Sequence, residues 1–290
     1  MRYTGFALIL LILIALGMVL PACSSAPKNP RDIYELRRSA ESQLDSGNRL
    51  ADRGGLEASL IILNEAMQLA IAADDPGLRI RIGLSRGNVQ FTLGFKEEAD
   101  SSWLEALTEA QRINNGELTA VSRIHIARGR LLSSAGQAGV AQSVRDDVSR
   151  DLAMVKSERL YIAFAWTVCG LAERDLGRYQ EAEAAVRRSL DIHVKDIYFE
   201  LVAYNWYLIA SFRSLSGDYA GARLALESAL TYDRRIENSW GLANDWRAFG
   251  DVHKKEGNRE ASRTAYLRAA EIFRAMGNDE AAEGVLSRIE

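Results

Sequence analysis

Residues able to do chemistry are few and scattered. The three histidines, His125, His193 and His253, and the two cysteines, Cys23 and Cys169, show no metal-like spacing. Neither a His-Glu-x-x-His pair, a Cys-x-x-Cys pair nor a nucleophile elbow occurs. "SSAGQAG" (133–139) has the composition of a phosphate loop, but no strand precedes it and no Lys-Ser follows. The carboxylates Glu97 and Glu98 fall in a first helical turn, where acids complement the helix dipole. "RRS" (187–189) and "DRR" (233–235) read as solvated helix faces. With no catalytic constellation, the expectation is a binding protein rather than an enzyme, with no metal or cofactor.

Cys23 is the exception, because of what precedes it. Arg2 is followed by an apolar run from Gly5 to Leu20 and then by Pro21-Ala22. That run has signal-peptide length and falls short of the roughly 20 residues a spanning helix needs. "LPAC" (20–23) resembles the lipobox of bacterial lipoproteins, with Pro21 where Ala or Ser is usual. The resemblance implies a signal peptide over 1–22, acyl chains on Cys23 and a polar tether to residue 31. An uncleaved signal anchor with Cys23 incidental is the alternative. Several acyl chains would hold the protein firmly, where one binds only marginally. Ser24 and Ser25 stand where the family places Asp for inner-membrane retention. In a two-membrane bacterium this implies an outer-membrane lipoprotein facing the periplasm. Cys169, in an apolar segment, reads as a small buried hydrophobe, which leaves no disulfide. The mature chain would carry 35 basic and 39 acidic side chains, a mild imbalance that argues against nucleic acid as partner.

The body beyond residue 31 reads as helical almost throughout. Apolar residues recur at three and four, as in Leu60, Leu63, Met67 and Ala70, and strand-like alternation is absent. Self-similarity organises these helices. Trp166, Trp206 and Trp246 lie forty apart; Gly170, Ala210 and Gly250 follow four later, and Gly177, Gly217 and Gly257 seven after those. "GRYQEA" (177–182) matches "GDYAGA" (217–222), and the frame extends back through Gly87 with "GFKEEA" (94–99), Gly129 with Gly136 and Ala141, and Gly47 with Gly54 and Ser59. A glycine inside a helix costs about 0.5–1 kcal/mol against alanine, so its recurrence calls for close helix approach, with Ala99, Ala141, Ala182 and Ala222 as the small partners. The second glycine series suits left-handed helix caps.

This pattern resembles the tetratricopeptide repeat in a forty-residue variant. Trp166, Gly170 and Ala182, Trp206, Ala210 and Ala222, and Trp246, Gly250, Tyr266 and Ala269 carry the likeness. Glu173, Arg213 and His253 replace the Tyr of the first helix, and the closing Pro is missing. The implied fold is an all-α, right-handed superhelical solenoid over 32–278, with six antiparallel helix pairs starting near 40, 80, 122, 163, 203 and 243. A capping helix over 279–290 would close it. The first unit is the weakest, since "LDSGN" (44–48) could break its first helix.

In that family the first helix of each pair lines a concave groove. Carried over by position, the groove residues would be Arg81, Leu84, Asn88 and Phe91; Arg123, Ile126, Arg130 and Ser133; Phe164, Thr167, Leu171 and Arg174; Tyr204, Tyr207 and Ser211; and Asn244, Arg247, Asp251 and Lys254. Among these, six bases face one acid, Asp251, which suits an acidic peptide or a free carboxylate held by guanidinium forks and aromatic faces. The same arginines could instead pair with acids on neighbouring helices. Three roles follow: a lipid-anchored adaptor or scaffold binding a protein or peptide, an accessory ligand-binding protein of an uptake system, or an envelope spacer. A closed pore would favour the second role and an open crescent the first.

Overall fold

The computed structural model describes residues 34–134 and 136–289; Cys23, the signal segment 1–22 and the tether 23–31 lie outside the described residues. The described chain is all helix. Six antiparallel pairs run α1 (Glu35–Asp52) with α2 (Leu56–Ala72), α3 (Pro76–Thr92) with α4 (Lys96–Arg112), α5 (Gly116–Ser133) with α6 (Ala138–Leu152), α7 (Arg159–Asp175) with α8 (Tyr179–Asp196), α9 (Phe199–Leu215) with α10 (Tyr219–Arg235), and α11 (Ser239–Lys255) with α12 (Arg259–Ala275). The short α13 (Asp279–Leu286) follows, burying Ala282 and Val285 against the last pair. No described helix is long and apolar enough to cross a membrane.

The turns explain the punctuation. Gly54, Gly94, Gly136, Gly177, Gly217 and Gly257 all have positive φ. After five of these six first helices the next amide but one closes a Schellman bond, as in Phe95 N to Gln90 O at 2.9 Å and Arg178 N to Glu173 O at 2.9 Å. Five of the six second helices end the same way, on Asp74, Asn114, Ile197, Glu237 and Gly277, and α6 does not. Ile197, at φ 62°, is β-branched in a region that disfavours it.

The glycines inside first helices make room for bulk rather than for alanine. A Cβ on Gly250 would lie 2.4 Å from the Tyr266 ring, one on Gly87 2.4 Å from Trp103 Nε1, and one on Gly170 2.6 Å from Val186. Each large group stands one turn beyond the small residue, at Ala99 and Ala182 and at Ser262 in the last pair. Gly47 is accommodated likewise against Leu63, so α1 runs unbroken through "LDSGN", which the sequence led us to expect as a break.

Gly129 is different. Its Cβ would meet Trp103, on the second helix of the preceding pair. The reason is length: α6 begins 22 residues after α5 begins, against 20 for the corresponding starts in the second, fourth, fifth and sixth pairs. The repeat frame drawn through Gly129 is therefore shifted by two positions in α5, and Ala127 occupies the equivalent place.

First helices touch one another along the solenoid, α1 to α3, α3 to α5, α5 to α7 and α9 to α11, so they form the inner wall while the second helices fan outward. The curl is tight enough that α1 also meets α9. There Arg53 pairs with Glu200 at 2.8 Å, and Gly54 lies against the Trp240 indole. The superhelix closes on itself.

Candidate functional site

Counted from its helix start, Arg128 on α5 stands where Asn88, Leu171, Ser211 and Asp251 stand on their helices, at a groove position. Its Nη1 is buried and has no hydrogen-bond partner. Burial holds the guanidinium below its ordinary pKa, and the opposing influence is Tyr204 on α9, not a carboxylate. Burial and the Arg128 charge together push neighbouring His125 down to about 3, so that imidazole is neutral. His125 Nδ1 lies 3.1 Å from Asn88 Oδ1, and its ring stacks on Phe164 at 4.3 Å, which ties α3, α5 and α7 together.

Tyr204 is 42% exposed, yet it lies within electrostatic reach of Asp52 on α1, Arg128 on α5 and Arg174 on α7. Surrounding protein pushes its phenol pKa up, while Arg128 and Arg174 act to lower it. Tyr207 is also within that reach. Tyr207 receives a long hydrogen bond from Arg247 Nη2 at 3.5 Å. Thus α5, α7, α9 and α11 present Arg128, Arg174, Tyr204, Tyr207 and Arg247 on one wall. Asp52 at the end of α1 faces them from the seam. Burial raises the Asp52 carboxyl, the Glu200 charge adds to the rise, and Arg53 opposes it.

The other expected groove residues lie elsewhere. Arg123 and Arg130 turn onto the second helix of their own pair, Arg123 to Asp151 at 3.5 Å and Arg130 to Asp147 at 2.6 Å. The two-residue shift in α5 accounts for both: Arg123 stands level with Trp166, Trp206 and Trp246, which face second helices. Phe91 packs on Trp103 with ring centres 5.8 Å apart. Arg81 bonds the Tyr161 hydroxyl at the mouth of a cleft of about 200 Å³ between the starts of α3, α5 and α7. Lys254 Nζ donates to the Arg288 carbonyl at 2.7 Å, while Arg174, on the inner wall, also contacts its neighbour Asp175 at 2.7 Å. Leu84, Thr167 and Leu171 are buried.

The charged replacements of the family tyrosine clasp successive pairs. Arg145 donates to Glu173 at 2.8 Å and Arg213 to Glu183 at 2.8 Å. Near the seam, "DRR" is not a wholly solvated face: Asp233 is buried beside buried Asp245. Burial pushes Asp233 up to about 6 and Asp245 to about 9, with the Asp233 charge adding to the rise of Asp245, so the pair holds a proton at neutral pH. Asp233 also accepts from Asn238 Nδ2 at 2.9 Å. Cys169 is buried, and burial raises its thiol. Among the described residues no cluster of His, Cys, Asp or Glu is arranged to hold a metal ion.

Neither a protein-family model nor a curated protein matches the sequence. Similar solved structures include a Rap protein complexed with Competence and Sporulation Factor, at 12% identity and TM-score 0.60, over 88% of this chain and 76% of that one. BtubC (BKLC) from P. vanneervenii aligns at 17% identity and TM-score 0.55, over 82% and 92%. A signal transduction ATPase with a tetratricopeptide repeat sensor from Pyrococcus horikoshii aligns at 12% identity and TM-score 0.48, over 89% of this chain and 42% of that chain. At these identities the likeness is one of fold, and the fold of this chain is a tetratricopeptide-like helical solenoid.

Proposed function

We propose that the protein is a lipid-anchored adaptor of the bacterial cell envelope that holds a segment of a partner protein against the inner wall of its ring. The supporting observation is the wall itself. Arg128, Arg174, Tyr204, Tyr207 and Arg247 come from four separate first helices and meet on one surface. Stacked helix pairs create such extended inner surfaces, and guanidinium and phenol groups suit carboxylates and peptide backbone. The Rap structure, a solenoid of the same fold complexed with a factor, lends the reading support by analogy. Anchoring rests on the "LPAC" sequence and places the ring outside the cytoplasm, at the outer membrane if there are two.

The closed seam between α1 and α9 favours a second reading, an accessory protein of solute uptake that encloses a small molecule. Crosslinking in cells separates the two. The unmodified protein should capture a discrete protein partner, and a Tyr207→Ala, Arg247→Glu double variant should lose it. Equal capture by both would remove the inner wall from the adaptor role. Cys23→Ser should move the protein to the soluble fraction; retention in the membrane would refute the lipid anchor.

A further inference from the structure

The guanidinium of Arg128 has no use in the fold that the structure reveals. A buried cation is ordinarily paired, because an uncompensated one forfeits its hydration. Other buried or half-buried arginines follow that rule, Arg145 and Arg213 among them. Among the described residues Arg128 has no ion pair, and its buried Nη1 lacks any hydrogen-bond partner. The groups around it belong to the inner wall: neutral His125 on its own helix and the Tyr204 phenol across the ring. A second guanidinium, Arg174, is within electrostatic reach of the same phenol.

We propose that Arg128, Arg174 and Tyr204 form a seat for a carboxylate inside the ring. This rests on the reading that the inner wall is the binding surface. A guanidinium offers parallel N–H donors matched to two carboxylate oxygens, and a phenol adds a third donor. Arg174 retains its contact with Asp175 and contributes mainly charge. The carboxylate supplies the counter-charge that Arg128 lacks. Asp52, facing the seat from α1, sets a limit on the ligand: when ionised it would repel a second anionic group on that side and accept from an amide or ammonium.

The carboxylate could be a peptide C-terminus or a small solute, and one experiment tells them apart. The full chain, in detergent, is melted by tryptophan fluorescence with 10 mM acetate or 10 mM tetraalanine, the peptide with a free or an amidated C-terminus. At about ten times the dissociation constant, the midpoint should rise by roughly 3 °C. Arg128→Met should lose the response, Arg128→Lys should keep less than half of it, and Arg123→Met should keep all of it. A shift with free but not amidated tetraalanine identifies a peptide terminus; a shift with acetate alone identifies a small solute. No shift with either probe, or equal shifts in the unmodified protein and Arg128→Met, overturns the seat. Absence of any carboxylate response, with partner capture still dependent on Tyr207 and Arg247, would refute the seat and leave the adaptor. A response with no captured partner would refute the adaptor and leave the seat.

Discussion

The joints between successive helix pairs and the joint that closes the ring are built from different materials. From α3 to α11 the pairs share a continuous apolar core, in which Trp103 fills the space left by Gly87 and Gly129 and Val186 the space left by Gly170. At the closing joint Arg53 pairs with Glu200, and Gly54 lies against the Trp240 indole. Four carboxyls, Asp52, Glu200, Asp233 and Asp245, form an electrostatically linked chain there. Burial of apolar surface is non-directional and strong, whereas a partly exposed ion pair contributes little. The body is therefore built for permanence and the seam for opening at small cost.

The contrast can be broken most forcefully inside the body. Gly250→Val should cost about 3 kcal/mol in a urea melt, since the new side chain enters space held by the Tyr266 ring. A cost under about 1 kcal/mol would show that α11 and α12 can part without penalty.

Proton linkage gives a smaller effect beside the seam. The folded pKa values of Asp233 and Asp245, about 6 and about 9, lie above the unfolded value of 3.8. Between the unfolded and folded values the native state holds protons that the unfolded chain has lost. These two groups therefore make stability fall as pH rises from about 4 towards 9. Asp245→Asn keeps a donor for Asp233 without the proton, so it should raise the midpoint by roughly 3 °C at pH 8 and change little at pH 4. Equal shifts at both pH values would mean that the pair carries no trapped proton.

The smallest global effect belongs to the clasp. Glu200→Arg should change overall stability by about 1 kcal/mol or less. Amide hydrogen exchange at the end of α1 should nevertheless quicken about fivefold, because a loss of that order shifts a local opening equilibrium by such a factor. Unchanged exchange would mean that the seam is held by something other than the Arg53–Glu200 pair.

Much of the fold was legible because the physics that builds it is periodic. Each pair needs a left-handed turn and a vacancy for one large side chain, and both leave glycine at fixed intervals. The wall of the ring was less legible. Tyr204, Tyr207, Arg174 and Arg247 could be placed on the inner face from helix position, since their units keep the common 20-residue spacing. Arg128 was missed and Arg123 and Arg130 were misplaced because Gly129 mimics a repeat glycine in the unit that is two residues longer. The signal was present in the distance from "NNG" (114–116), the cap and start of α5, to Gly136. The seam had no local signature: Arg53 and Glu200 are 147 residues apart. Burial of Asp233 was hidden in a run whose other two members are exposed.

Closure by Arg53 and Glu200 has a mechanical consequence. In an open stack each end unit has a neighbour on one side only, so unravelling starts there and proceeds inward. Here the first unit has neighbours on both sides, and the last apolar face is covered by α13. A pull on the leading end loads α1, which is held by α2 along its length and by the clasp at its far end, so the first unit cannot leave the stack until the clasp has opened. Loss of the first unit and opening of the way to the interior are thereby made one event, set by the strength of the Arg53–Glu200 pair and of the indole contact.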